Sequence, residues 1–330
     1  MVKTTAYSRT HLGTVFTYGQ TCSGKTFTMY GAPPKHPGVI PLAVQDIFAR
    51  VKERPDCEFL FKASFLEIYN EVIRDLLDPK RVNLKIHETP NREIFVGNLS
   101  EKPVYSAHEV AELLQKGEAN RSIGETNMNE RSSRSHTIFR MVSKHFQIAS
   151  THLAPSRLIH TTRQLKNLVD LAGSERVGFT KAEGLRLKEG AHINKSLLAL
   201  GTVISRLAES GGESRGHIPY RDSKLTRILQ NALGGNAKTS IICTVTPSEA
   251  FADETISTLK FARRAMVIAN KPIVNEVRHA AIFIATHKTN LYIYYNTRAA
   301  GCHRCCKTGT LSRGNSPTEA AAACSKPHAR

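Results

Sequence analysis

From residue 13 to residue 277 the chain alternates short β-prone apolar runs with stretches in which apolar residues return every three or four positions. Gly13–Tyr18, with Thr14, Val15, Phe16 and Tyr18, predicts a strand. Phe59–Leu66 predicts a second strand, and the stripe of Ile68, Val72, Ile73, Leu76 and Leu77 that follows predicts a helix. Leu165–Leu171 is a third apolar run. Ile193, Leu197, Leu200, Ile204 and Leu207 step by 4, 3, 4 and 3, which lines one face of a long helix. Leu225, Ile228, Leu229 and Leu233 repeat that pattern, Ser240–Thr246 reads as a buried strand, and Ile256, Leu259, Ala262 and Met266 as a last amphipathic helix. Strands separated by helices predict an α/β domain with helices on both faces of its sheet. No internal repeat of domain-building length is visible.

The chain has 330 residues, 40% of them hydrophobic and 22% charged, which excludes a wholly disordered or collagen-like protein and leaves room for a sizeable core. Apolar runs such as Ala280–Ala285 are too short for a membrane-spanning helix. Met1–Gly13 is polar and unlike a secretory signal, so the seven Cys read as reduced thiols. Lys and Arg number 46 against 28 Asp and Glu, a net charge of +18 that favours a polyanionic partner: nucleic acid, an acidic membrane surface or an acidic protein polymer. Residues 278–330 hold eight Lys and Arg, one acid and four Cys without sustained periodicity. A boundary is therefore expected near Val277, with a basic, disordered tail beyond it.

Gly19-Gln20-Thr21-Cys22-Ser23-Gly24-Lys25-Thr26 satisfies G-x-x-x-x-G-K followed by Ser or Thr, and it sits between a strand and a segment able to be helical. Glycines let backbone N–H groups curl around phosphate oxygens, and a helix N-terminus adds positive potential. Lys25 supplies a point charge for β- and γ-phosphates, and the Thr26 hydroxyl can ligate Mg²⁺. Asn167-Leu168-Val169-Asp170-Leu171-Ala172-Gly173 ends an apolar strand in a carboxylate at the C-terminal edge of the sheet, and Gly173 can bring its N–H close to a terminal phosphate. Alone, Asp170 reads equally as an ordinary turn residue. Asn129-Glu130-Arg131-Ser132-Ser133-Arg134-Ser135-His136 offers hydroxyls for Mg²⁺ or water and a cation able to pair with Glu175. In isolation it also reads as a solvated polar loop.

Taken together and in this order, GQTCSGKT, NERSSRSH and DLAGSE resemble the kinesin motor domain, with Ile218–Leu229 (IPYRDSKLTRIL) adding that family's tubulin-facing segment. The resemblance covers Gly13 to Val277 and is strongest to the centromere-associated, CENP-E-like subfamily. It implies a P-loop NTPase with a central mixed sheet, helices on both faces, and ATP hydrolysis coupled to microtubule binding and movement. Gly19, Gln20, Thr21, Cys22, Ser23, Gly24, Lys25 and Thr26 would hold ATP and Mg²⁺, with Phe27 against adenine. Ser132, Ser133 and Arg134 would form switch I, with Ser133 near Mg²⁺ and the lytic water. Asp170, Gly173 and Glu175 would form switch II. Asp170 would hold Mg²⁺ through water, Gly173 would sense the γ-phosphate, and Glu175 would pair with Arg134 on closure. Lys181, Lys188, Tyr220, Arg221, Lys224 and Arg227 would face tubulin, whose acidity suits the basic balance. Asn270–Val277 resembles a neck linker. The implied location is the microtubule cytoskeleton of the cytoplasm.

The chain departs from the family at both ends. Met1–Leu12 lacks the leader that would supply the first strands, the first helix and an Arg-x-Arg-Pro segment beside adenine, so those elements are expected to be missing. Residues 278–330 show no heptads, and Cys302-His303-Arg304-Cys305-Cys306 has no second ligand pair at zinc-binding spacing. An alternative is therefore a non-catalytic microtubule-binding fragment. A nucleic-acid binder would need a recognition helix, stacking aromatics or zinc modules, and none is present.

Overall fold

The computed structural model describes residues 12–33, 35–53, 57–90, 92–123, 131–149, 157–175, 185–209, 217–272 and 276–281. The first half runs β1 (Leu12–Tyr18), α1 (Lys25–Tyr30), β2 (Gly31–Ala32), β3 (His36–Pro37), α2 (Val39–Lys52), β4 (Cys57–Tyr69), β5 (Val72–Asp75), β6 (Ile86–Glu88), β7 (Ile94–Val96), β8 (Lys102–Val104) and α3 (Ala107–Ile123). The second half runs β9 (His136–Ala149), β10 (Arg157–Asp170), α4 (Leu185–Glu209), α5 (Lys224–Ile228), β11 (Ala237–Cys243), α6 (Ala252–Met266) and β12 (Glu276–Ala281).

The main sheet has eight strands in the order β11-β1-β10-β9-β4-β5, with β12 beside β10 and β8 beside β4. It is mixed: β1 is parallel to β10 and β11, whereas β9 is antiparallel to both β10 and β4. Strand alternation divides the core between two faces. Val15 and Leu168 pack with Met29, Ile40, Val44 and Val110 from α1, α2 and α3. Phe16 and Val169 pack with Leu200, Val203, Ile204, Leu225 and Phe261 from α4, α5 and α6. Helices on both faces and a mixed sheet agree with the expectation from sequence. Among the described residues no helix is long and apolar enough to cross a membrane.

The helix expected after Leu66 is instead a hairpin. β4 runs on to Tyr69, turns through Asn70 and Glu71, and returns as β5 with Ile68 opposite Ile73. Asn70 and Glu71 have φ of 50° and 57°, the pair of positive values that a tight two-residue hairpin turn requires. Ile68 and Ile73 share a buried face because they are cross-strand partners, and that arrangement imitates helical spacing. The helix expected through Leu233 is also shorter. α5 ends at Ile228 and a single 3₁₀ turn, Gln230–Ala232, completes the segment, although Leu225, Ile228, Leu229 and Leu233 are all buried. β11 ends at Cys243, short of the expected Thr246. β12 crosses the boundary expected at Val277, pairing with the first half of β10. The Cys302–Cys306 cluster lies outside the described residues, as does all of the expected leader except Leu12.

Candidate functional site

Parallel pairing aligns the C-terminal ends of β1 and β10, with Thr17 opposite Asp170. The chain leaves β1 through residues 19–24 and enters α1 at Lys25, so the loop wraps the edge where Asp170 stands. Gly24 adopts φ 95° immediately before α1, a left-handed conformation that suits glycine. Tyr18, at the mouth of the loop, stacks on Phe261 of α6 with ring centroids 3.6 Å apart.

Asp170 is buried and accepts two hydroxyl hydrogen bonds, from Thr17 Oγ1 at 3.2 Å and Thr26 Oγ1 at 2.6 Å. Burial raises its pKa, opposed by the Thr26 hydrogen bond, by Arg121 and Lys25, and by the Thr17 hydrogen bond. The Lys25 ammonium is buried too and donates to the Gln20 carbonyl at 2.7 Å. Burial lowers its pKa, and the Asp170 and Glu175 carboxylates hold it up. A hydroxyl and a carboxylate in contact, one helical residue from a buried ammonium, form a donor set suited to Mg²⁺ bound to a polyphosphate. Ser23 Oγ braces the loop from within, 2.7 Å from the Gln20 carbonyl and 2.6 Å from Thr244 Oγ1. Cys22 and Phe27 are exposed beside it, Cys22 with φ 62°.

Segment 172–175 closes the other side. Three consecutive amides go to three different places. Ala172 N–H donates to His136 Nδ1 at 3.0 Å, Gly173 N–H to the Ser133 carbonyl at 2.9 Å, and Ser174 N–H to the Gly19 carbonyl at 3.0 Å. Glu175 accepts from the Thr21 backbone N–H at 2.8 Å and from Thr21 Oγ1 at 2.5 Å. The expected partner of Glu175 was Arg134; here Thr21 holds both carboxylate oxygens. A Cβ on Gly173 would lie 2.3 Å from both Glu175 Oε2 and Thr21 Oγ1, so a larger residue here would have to displace the Glu175–Thr21 contact. Ser133 and Arg134 lie in the 3₁₀ turn Arg131–Arg134 beside this crossing; the Ser132 side chain is outside the described residues.

Two buried groups escaped the sequence reading. Arg121 of α3 donates to Ser135 Oγ at 3.0 Å and lies 3.8 Å from Glu67 and 3.6 Å from Glu118. His136 joins Ala172 to Ser196 of α4, with Nε2 2.7 Å from Ser196 Oγ. The signal available in sequence was the density of polar residues before β9, which continues into the strand rather than stopping at a loop.

The expected tubulin-facing residues divide. Arg221 is 78% exposed, 3.9 Å from Glu88, whereas Arg227 is 15% exposed, bonded to Glu88 and donating to Gln230. Glu71, at the hairpin tip, accepts from Ser223 Oγ and from Lys224 N–H, each at 2.8 Å, and so caps α5. Burial lowers the pKa of the Lys224 ammonium, with Lys85 adding to the effect. Tyr220 donates to the Leu233 carbonyl at 2.6 Å. Lys181 lies outside the described residues, and Lys188 is described only as backbone of α4.

Residues 7–268 match the kinesin motor domain family model. The chain is 56% identical over 279 residues to kinesin-like protein KIN-7L of Oryza sativa, covering 84% of this chain and 42% of that protein. It is 53% identical over 279 residues to KIN-7O of Arabidopsis thaliana, covering 84% and 22%. It is 52% identical over 269 residues to human centromere-associated protein E, covering 80% and 10%. The chain thus spans less than half the length of these relatives. Among solved structures, a fast kinesin superposes with TM-score 0.72 at 45% identity, covering 81% of this chain and 74% of that one. A KIF14 dimer bound with AMP-PNP to a microtubule gives TM-score 0.72 at 40% identity, with the same coverage.

Proposed function

The chain belongs to the kinesin motor-domain family, within its kinesin-7 branch, and from that premise we propose that it couples ATP hydrolysis to microtubule binding and movement. The observation that carries this reading is the 2.6 Å contact between Thr26 and Asp170 at the edge of the sheet, beside the buried Lys25. Gly19 to Gly24 would wrap the phosphates with backbone N–H groups, and Lys25 would exchange the Gln20 carbonyl for phosphate oxygen. Thr26, Ser133 and Asp170 would hold Mg²⁺, which when bound neutralises charge on the β- and γ-phosphate oxygens. Phe27 would lie against adenine.

Ser133 and Arg134 would order the attacking water, together with Ser132. Gly173 N–H would leave the Ser133 carbonyl for the γ-phosphate, and Glu175 would leave Thr21 for Arg134. Gly173 would exchange one acceptor for another and Glu175 would exchange its two bonds to Thr21 for an ion pair with Arg134, so closure would cost little. Preorganised positive groups around the phosphoryl oxygens supply the rate. Arg221 and Lys224, with Tyr220, Arg227, Lys181 and Lys188, would meet the acidic tubulin surface.

The segment that begins at Asn270 would respond to closure. Asn270 accepts from Gly234 N–H at 2.8 Å and donates to the Ala232 carbonyl at 3.1 Å, and Lys271 N–H bonds the Gly235 carbonyl at 3.0 Å. These contacts tie it to the connection between α5 and β11, where α4-driven motion would reach it.

The test is phosphate release by the purified chain with and without microtubules, alongside Lys25→Ala. Turnover that rises with microtubules and disappears in Lys25→Ala supports the motor reading. Absence of turnover, with microtubule binding retained, overturns it in favour of a non-catalytic binding fragment.

A further inference from the structure

His136 is the first residue of β9 and is buried. Its Nδ1 accepts the Ala172 N–H at 3.0 Å, so that nitrogen carries no proton. The proton is on Nε2, which donates to Ser196 Oγ at 2.7 Å. Burial, with Lys25 and Arg121 nearby, pushes the imidazole pKa down to about 3, so the ring is neutral and this tautomer is fixed at physiological pH. One side chain therefore joins three elements: the strand after the Ser132–Arg134 turn, the end of β10, and the middle of the 25-residue helix α4.

The three amides of segment 172–174 are not equivalent. Those of Gly173 and Ser174 bond backbone carbonyls of Ser133 and Gly19, which phosphate oxygens can replace. The amide of Ala172 bonds an imidazole walled in by β9, β10 and α4, and Ala172 is fully buried, so release would leave an unsatisfied N–H. Ala172 is thus the point at which the segment stays joined to His136 while the bonds of Gly173 and Ser174 exchange. Ser196 is 3% exposed and lies next to Leu197 and one turn before Leu200, both in the core facing Val169.

We propose that His136 is a positioning residue that keeps its bond to Ala172 as segment 172–175 shifts and carries that shift to α4 through Ser196. The bond to Ala172 keeps the imidazole with the segment, and the bond to Ser196 makes the helix follow it. The inference rests on the motor reading above, because the displacement is the one that nucleotide exchange would cause.

The test is a double-mutant cycle in the full chain. Ser196→Ala removes the acceptor for Nε2. His136→Asn keeps an oxygen where Nδ1 lies, able to accept the Ala172 N–H, but is too short to reach Ser196. Each variant is expected to keep basal ATP turnover within about twofold and to lose microtubule stimulation by about tenfold or more, the usual span of a coupling between sites. The double variant is expected to be no worse than either single one, because all three break the same link. A merely structural role moves Tm but not the ratio of stimulated to basal turnover. Should His136→Asn fail to fold, Ser196→Ala alone decides. Stimulation retained in Ser196→Ala, or losses that multiply in the double variant, overturn the inference while leaving the motor reading intact. A wild-type chain without microtubule-stimulated turnover overturns both.

Discussion

Glu175 grips Thr21 with both carboxylate oxygens, one on the backbone N–H at 2.8 Å and one on the hydroxyl at 2.5 Å. The phosphate loop is thereby tied to the segment expected to sense phosphate, and the carboxylate lies close enough to support the charge on Lys25. In the closure proposed above, that carboxylate would release the loop and meet Arg134, so one side chain would act at two successive places.

Glu175→Ala is therefore expected to separate binding from turnover. Phosphate release should fall about 100-fold or more, the scale for losing a group that organises charge in a transition state. Affinity for ADP should stay equal or rise, because an anion has been removed from beside a phosphate loop. Fluorescent-ADP titration alongside phosphate release checks both; turnover close to wild type would refute the role.

Asp170→Asn is expected to nearly stop turnover and to raise stability at neutral pH. The sign follows from burial, which raises the Asp170 pKa in the folded chain. A carboxyl that binds its proton more tightly when folded favours the fold at low pH, and that contribution is lost as pH rises through the folded value. At pH 7 the ionised group is a burden that the neutral amide lacks. Thermal unfolding of both proteins at pH 5 and pH 7 should show the variant more stable at pH 7, with the gap narrowing at pH 5. A lower Tm in the variant at pH 7 would mean that the Thr26 and Thr17 hydrogen bonds outweigh burial.

Addition of excess Mg·ADP is expected to raise Tm. Ligand at about 100 times its dissociation constant contributes about 2.7 kcal/mol. For a domain of this size that is roughly 5–10 °C. The shift should vanish in Lys25→Ala, which removes the buried ammonium that donates to the Gln20 carbonyl.

What could be read from sequence follows the range of the forces involved. The loop from Gly19 to Thr26 and the strand ending at Asp170 were legible because each is a local pattern with a local cause. That helices cover both faces of the sheet was legible from the alternation of strand-like and helix-like segments along the chain. The hairpin at Asn70–Glu71 was not, since Ile68, Val72 and Ile73 fit a helical stripe, and only positive φ at two non-glycine residues separates the outcomes. The roles of His136 and Arg121 were not legible for another reason. Their partners, Ser196 and Glu67, are about fifty or sixty residues away in sequence, and only tertiary packing brings them together.

Glu71→Ala is expected to loosen α5 without touching the phosphate site. It removes two hydrogen bonds at the N-terminus of that helix, from Ser223 Oγ and Lys224 N–H. Loss of a cap costs about 1 kcal/mol and up to about 2. Tm should drop by roughly 2–8 °C. Basal turnover should hold while microtubule affinity falls, as read by co-sedimentation.

Arg221 and Arg227 carry the same charge but should behave differently when removed. Arg221 is 78% exposed and only 3.9 Å from Glu88 at its nearest, so Arg221→Ala should leave Tm unchanged. Its charge acts outward, toward an acidic surface. Microtubule affinity should fall by about 3- to 10-fold at low salt, with the difference shrinking as ionic strength rises. Arg227 is 15% exposed and bonded to both Glu88 and Gln230, so it ties α5 to β6 as well as contributing charge. Arg227→Ala should lower Tm, because it leaves Glu88 without that partner, and its affinity loss should persist at high salt. Co-sedimentation across a salt series, paired with thermal unfolding, separates the two. If both variants keep Tm and show the same salt dependence, the Glu88 contact is not structural, and both arginines act as surface charge.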